Sequence, residues 1–158
     1  MSDDATVRSQ YLSFFVGGGE YAVDILLVRE IIPYGEVTRL PRVPEFVRGL
    51  INLRGAVVPV VDLALRLGLP QLPRNKRSCV VITELELDGE HMRIGLIADD
   101  VNQVIELAPD DIEPAPSLGA PVDARFVLLL DTETLIGGDA LRSAWQELAA
   151  PALRADDA

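Results

Sequence analysis

The chain is poor in the residues that most reactions need. Its 158 residues include one cysteine and one histidine. A lone Cys79 excludes an internal disulfide and suits a reducing compartment. His91 has no second histidine to share a metal or relay a proton with. No G-x-S-x-G elbow is present, and no lysine follows the "GGG" at 17–19 as a phosphate loop would require. Positive charge is also scarce. Fourteen basic residues against 25 acidic ones give a formal charge of −11. That balance excludes binding along a nucleic-acid backbone, which needs a basic surface. It also argues against anionic membranes and favours a partner with basic patches. Apolar runs such as "VLLL" are far too short to span a bilayer. The opening "MSDDATVRSQ" lacks the apolar stretch of a secretion signal, so a cytosolic protein is expected.

What is present is apolar material arranged for strands. "YLSFFV" (11–16) and "EYAVDI" (20–25) flank the glycines as a hairpin. Asp24 is expected to cap a short helix with Leu27, Val28 and Ile31 on one side, ended by Pro33. "EVTRL" reads as a short strand, and "EFV" as one helical turn after Pro41 and Pro44. In "RGLINLRGAVVPVVDL" (48–63), Leu50–Leu53 and Val57–Val61 read as two strands folded on each other. Arg54-Gly55 is their turn, with Gly55 at positive φ and Arg54 pointing off the sheet end. Pro59 predicts a strand with a free edge on its amide side. Asp62 caps a short helix that stops at Gly68. The proline-marked 69–77 is a subdomain boundary. Beyond it, Asp88-Gly89 joins two alternating runs in the strongest hairpin signal of the chain. "VNQVIEL" continues as strand, "APDDIEPAP" is loop, and "FVLLLD" is strand, capped by Asp131 into a short helix. Residues 140–149 form a last helix with Leu141, Ala144, Trp145 and Leu148 on one face.

A faint internal repeat accompanies this pattern. "VVDLALRLG" and "LLDTETLIG" share a strand, an Asp and a Gly six positions later, and the hairpin of 11–25 is echoed by 79–97. The expected fold is mainly β: two small barrels of related design, with halves about 10–70 and 78–137 and exchange of strands between them left open. One domain covers 9–150, with flexible tails at 1–8 and 151–158.

No catalytic constellation emerges from these residues. Cys79 opens the apolar "CVVI" and reads as a buried structural thiol. His91 sits beside a hairpin turn and reads as idle. The pairs Asp99-Asp100 and Asp110-Asp111 lack the spaced ligands of a calcium loop. A metal-assisted hydrolase built on those acids is the distant alternative. A binding module remains, with Arg54 on its turn as the sharp candidate, weighed evenly against a surface arginine that covers a barrel end.

"EYAVDILLVREI", "VTRLPRVPEFVRGLINLRGAVVPVVDL" and "IGLIADDVNQVI" followed by "PAP" resemble the CheW family of bacterial chemotaxis coupling proteins, over about Gln10 to Ile136. The resemblance implies two SH3-like five-stranded barrels, no catalysis and no cofactor. It implies two partners, the cytoplasmic hairpin tip of a chemoreceptor and the regulatory domain of the histidine kinase CheA, with a receptor-facing groove between the barrels. It implies a cytoplasmic place at membrane-associated receptor arrays. An adaptor of another chemosensory system, such as pilus-based motility, is the alternative. Matched motif by motif, it places Val28, Glu30, Ile31, Gly49, Arg54, Gly55, Val80 and Gly95 at coupling positions, with Glu30 and Arg54 as the polar pair. One departure stands out. On the order of ten residues, a strand plus a turn, are missing between "APSLGAPVDARFV" and "LLLDTETLIGG". A reduced second barrel follows as an expectation. Strand 126–130 should then pair with 79–87 or 92–97 under a covering element such as the helix of Trp145; the alternative is a hairpin partner that the native protein has and this sequence omits.

Overall fold

Ten strands form two curled sheets in the computed structural model, which describes residues 8–87, 89–114 and 118–131. In chain order they are β1 (Ser9–Val16), β2 (Gly19–Asp24), β3 (Val28–Pro33), β4 (Val47–Leu53), β5 (Ala56–Asp62), β6 (Cys79–Leu87), β7 (Glu90–Ala98), β8 (Asp100–Leu107), β9 (Gly119–Val122) and β10 (Arg125–Leu129). A short helix α1 (Leu63–Leu67) and 3-10 turns at Ile25–Leu27 and Pro109–Asp111 complete the described elements. Among the described residues no helix is long and apolar enough to cross a membrane.

The two sheets have the same plan. The first runs β8-β1-β2-β10-β9 and the second β3-β6-β7-β5-β4. Each takes a hairpin from one half of the chain and three strands from the other. Each joins its two hairpins by a parallel pair, β2 with β10 and β5 with β7. Laying β1–β5 over β6–β10 turns one order into the other, which is the structural form of the repeat seen in "VVDL" and "LLLD".

Strand periodicity sorts the apolar side chains into three layers. Along β6, Val80 and Ile82 point into the interior of the second sheet, with Ile51, Val58, Val60 and Ile97. Cys79, Val81 and Leu85 point the other way, onto Leu12, Phe14 and Val23 of the first sheet. A smaller cluster of Ala22, Ile105, Leu107, Ala120 and Val127 fills the first sheet's own curl. The space between the sheets is thus a packed layer, and β6 and β7 are buried on both faces over 79–83 and 94–98.

Several expectations need correction. No helix carries Leu27, Val28 and Ile31. Asp24 accepts from the Leu26 amide at 2.9 Å and caps a single 3-10 turn, after which Val28–Pro33 is strand β3, paired with β6. The β-branched run at 28–32 favours that strand over a helix. "EVTRL" forms only one bridge, Thr38 with Leu50. "EFV" gives a turn at 45–46, and Val47 already opens β4. Pro59 lies in an interior strand rather than at an edge. It is tolerated because the parallel ladder with β7 begins only at Val60.

Strand β10 does not pair with 79–87 or 92–97. Its neighbours are β9 and β2. Gly119–Val122, a strand not anticipated from the sequence, supplies the hairpin partner across a turn at Asp123-Ala124, with Asp123 at φ 55°, so both sheets have five strands and the expected reduction of the second barrel is not found. Asp88, the helix of 140–149 and the stretch after Asp131 lie outside the described residues.

Candidate functional site

Arg54 and Gly55 both have positive φ, 53° and 86°, so the β4–β5 turn has the mirror-image geometry that matches strand twist. That conformation is easy for glycine and unfavourable for arginine. The Asn52 side chain steadies it by accepting from the Gly55 amide at 2.9 Å. Arg54 is thereby aimed at Glu30 on β3, and two parallel hydrogen bonds of 2.6 and 2.9 Å join guanidinium to carboxylate. β3 and β4 are the two edges of the second sheet. The ion pair therefore spans the open seam of the curl at its rim. Hydrogen bonding from Arg54 holds the Glu30 carboxyl below its ordinary range, helped by the charge of Arg93.

All eight residues singled out from the sequence fall on this second sheet or its turn. They divide into two groups. Val28, Glu30, Ile31, Arg54 and Gly55 are at least partly open to solvent, and Ile31 exposes 42% of its surface. Val57, two residues past the turn, is another exposed apolar side chain that sequence reasoning passed over. Its neighbours Val58, Val60 and Val61 are buried, so the run offered no contrast to mark it.

Gly49, Val80 and Gly95 are buried. Gly49 and Gly95 flank Val60 on either side, so the row Ile82, Gly95, Val60, Gly49 crosses four strands. A Cβ on Gly95 would come within 2.5 Å of Val80 Cγ1. One on Gly49, at φ 148°, would meet the Thr38 carbonyl oxygen at 2.0 Å. These glycines let the barrel interior and the 34–38 segment close in.

Cys79 is buried, and burial, with Asp100 and Asp99 nearby, pushes its thiol up to about 11. His91 is exposed, 3.7 and 3.9 Å from Glu86 and Glu84. Asp99 accepts from the Gly17 amide and Asp111 from the Ala108 amide, each at 2.8 Å. Among the described residues no group of three or more His, Cys, Asp or Glu side chains is placed to hold a metal.

Two polar hubs go beyond the expectations, although the cap that Asp62 gives to the helix ending at Gly68 is as expected. Glu20, buried on β2, receives hydrogen bonds from Ser13 (β1), Asn102 (β8) and Arg125 (β10), which ties four strands of the first sheet. Asp62 caps α1 and also binds Arg48, Gln71 and Arg74. Neither Glu20 nor its partners share a spacing that sequence could show.

The CheW-like domain family model matches residues 10–139. The chain is 35% identical over 136 residues to a chemotaxis protein CheW of Klebsiella aerogenes, covering 86% of this chain and 75% of that one. It is 34% identical to the chemotaxis protein CheW of Bacillus subtilis, over 73% of this chain and 72% of that one. Among solved structures, the scaffolding protein TtCheW from Thermoanaerobacter tengcongensis matches with a TM-score of 0.76 and 29% identity, covering 85% of this chain and 91% of that one.

Proposed function

The chain belongs to the CheW family of chemotaxis adaptors, and we propose that it couples the cytoplasmic tip of a chemoreceptor to the regulatory domain of the histidine kinase CheA through the rim of the second sheet. The observation that carries this reading is the bidentate Glu30–Arg54 pair across the seam, beside the exposed Ile31. A receptor tip is a helical hairpin. Such a helix lays its apolar face on apolar side chains, while charged neighbours set its register. Arg54 is held in an unfavourable backbone conformation by Asn52 and Glu30, a kind of local strain that clusters at functional positions. Val28, Ile31 and Gly55 would contribute contact area at the rim. Gly49, Val80 and Gly95 would act by keeping the barrel beneath in shape. The protein is a non-enzymatic scaffold without a cofactor in this reading, and it works in the cytoplasm at receptor arrays.

Co-precipitation tests it, with a purified receptor-tip fragment and the kinase regulatory domain as baits. Retention by both, and selective loss of receptor binding in Arg54→Ala, is expected. Retention by neither would overturn the coupling role. Equal receptor binding by Arg54→Ala would remove the rim from it.

A further inference from the structure

The charge of the chain is sharply divided. Eight of its fourteen basic residues, but only two of its 25 acidic ones, lie in 39–77. Part of that stretch lines a cleft of about 400 Å³, between the segment that follows β3 and the loop that follows α1. Three arginines line it, Arg39, Arg48 and Arg74, with no acidic residue among them.

Asp62 organises the cleft from beneath. Its side chain is 1% exposed. Its Oδ2 atom accepts from Arg48 Nε at 3.0 Å, Gln71 Nε2 at 2.9 Å and Arg74 Nη2 at 3.2 Å. Each guanidinium carries five N–H donors, so one carboxylate fixes Arg48 and Arg74 in place and leaves most of their donors unused. Arg74 also stacks on the Tyr34 ring, 4.9 Å from its centroid, which further limits its movement. Arg39 makes no ion pair or hydrogen bond within the described residues. The site therefore holds three cations over a single buried anion, with donors oriented before any ligand arrives. Preorganised arginine forks of this kind suit the planar oxygens of a carboxylate. Tyr34 and Val37 line the same cleft, and Leu72 leaves 42% of its surface exposed on its wall.

We propose that this cleft docks a carboxylate-bearing segment of a partner protein, with an aliphatic side chain beside the acid. A long polyanion is a poor fit, because the rest of the molecule carries a large negative charge that would repel it. A free oxyanion would satisfy the arginines but would leave the apolar wall uncovered. Arg48 is the second residue of β4 and Arg54 follows its end, so the cleft is about 20 Å from the rim at a strand's rise per residue. The inference stands on the cleft alone and does not rest on the receptor-facing reading of the rim.

The test uses the full chain and a fluorescent peptide of alternating Glu and Leu, followed by anisotropy. Controls are the matching Gln–Leu peptide and inorganic phosphate. The Glu–Leu peptide should bind, weaken as salt rises, and exceed the Gln–Leu peptide. Arg39→Ala, which breaks no hydrogen bond or ion pair among the described residues, should weaken it about tenfold, the loss of one charge-assisted contact. Arg54→Ala should bind the peptide like the parent chain, whatever it does to receptor binding. Equal binding of both peptides, no binding at low salt, or unchanged affinity in Arg39→Ala would overturn the proposal. So would phosphate that matches the peptide's affinity and displaces it fully, since the site would then take a free oxyanion only.

Discussion

A single glycine shows how the family pattern and the physics divide. Gly95 is one of the positions that the resemblance ties to coupling, yet it faces the barrel interior, where a Cβ would strike Val80. Gly95→Ala should destabilise the protein by about 1–3 kcal/mol, the usual range for overpacking a filled core. Adding Val80→Ala should return part of that loss, because the two side chains compete for one space. Urea unfolding of both variants and the pair checks this, and strict additivity would contradict it.

The buried carboxylates make a second residue-level prediction. Burial pushes both Glu20 and Asp62 up, but their hydrogen bonds outweigh it and leave both below the ordinary range. The donors are Arg125, Asn102 and Ser13 for Glu20, and the Leu65 amide, Arg48, Arg74 and Gln71 for Asp62. A carboxyl lowered by folding adds stability that is fully present above its unfolded value, about 4. Stability should therefore hold through neutral pH and fall as the pH drops below about 4 and passes through the folded values. Asp62→Ala should cost about 2 kcal/mol or more at pH 7, since a helix cap and charged hydrogen bonds are lost together, and should flatten the acid-side decline. A parent and a variant with the same acid profile would count against this account.

At the scale of elements, β10 carries the sharpest expectation. Its central residue Val127 is buried, while Phe126 and Leu128 are exposed on the other face. The Leu129 amide donates to Leu118 and the Leu130 amide to Ala22, each at 2.9 Å. Those two amides should resist hydrogen exchange in the native protein. Exchange as fast as in a free peptide would mean that the β9–β10 hairpin is not formed.

The hairpins β1–β2, β4–β5 and β6–β7 were legible because turn residues punctuate alternating runs. β3 was not, because Asp24 is a good cap and "ILLVREII" fits a helical stripe as well as a strand. Pairing with β6 decided it. β9 was hidden because "GAPV" is short, holds a proline and has no alternation. The partnership of β10 with β2 was invisible for a different reason: a parallel pair between residues about 107 apart in sequence leaves no local mark. Of the site, the Arg54 turn was readable from its neighbours. The partnership with Glu30 entered only through the family pattern, since nothing in spacing joins positions 24 residues apart.

For the whole molecule, two like-patterned sheets share one packed layer, so in the proposed reading the rim of one sheet binds while the fold beneath stays fixed. The division of charge, basic over 39–77 and acidic elsewhere, gives that body two unlike surfaces to present. An adaptor needs this, because it must hold two partners at once without being reshaped by either. The most direct test of coupling is kinase activity in an array rebuilt from receptor, kinase and this protein, comparing the parent chain with Arg54→Ala and with the exchanged pair Glu30→Arg/Arg54→Glu. The account predicts that the parent chain activates the kinase, that Arg54→Ala loses most of that activation with an unchanged unfolding curve, and that the exchanged pair recovers less than the parent because Arg54 meets the receptor as well as Glu30. Full activation by Arg54→Ala would contradict it.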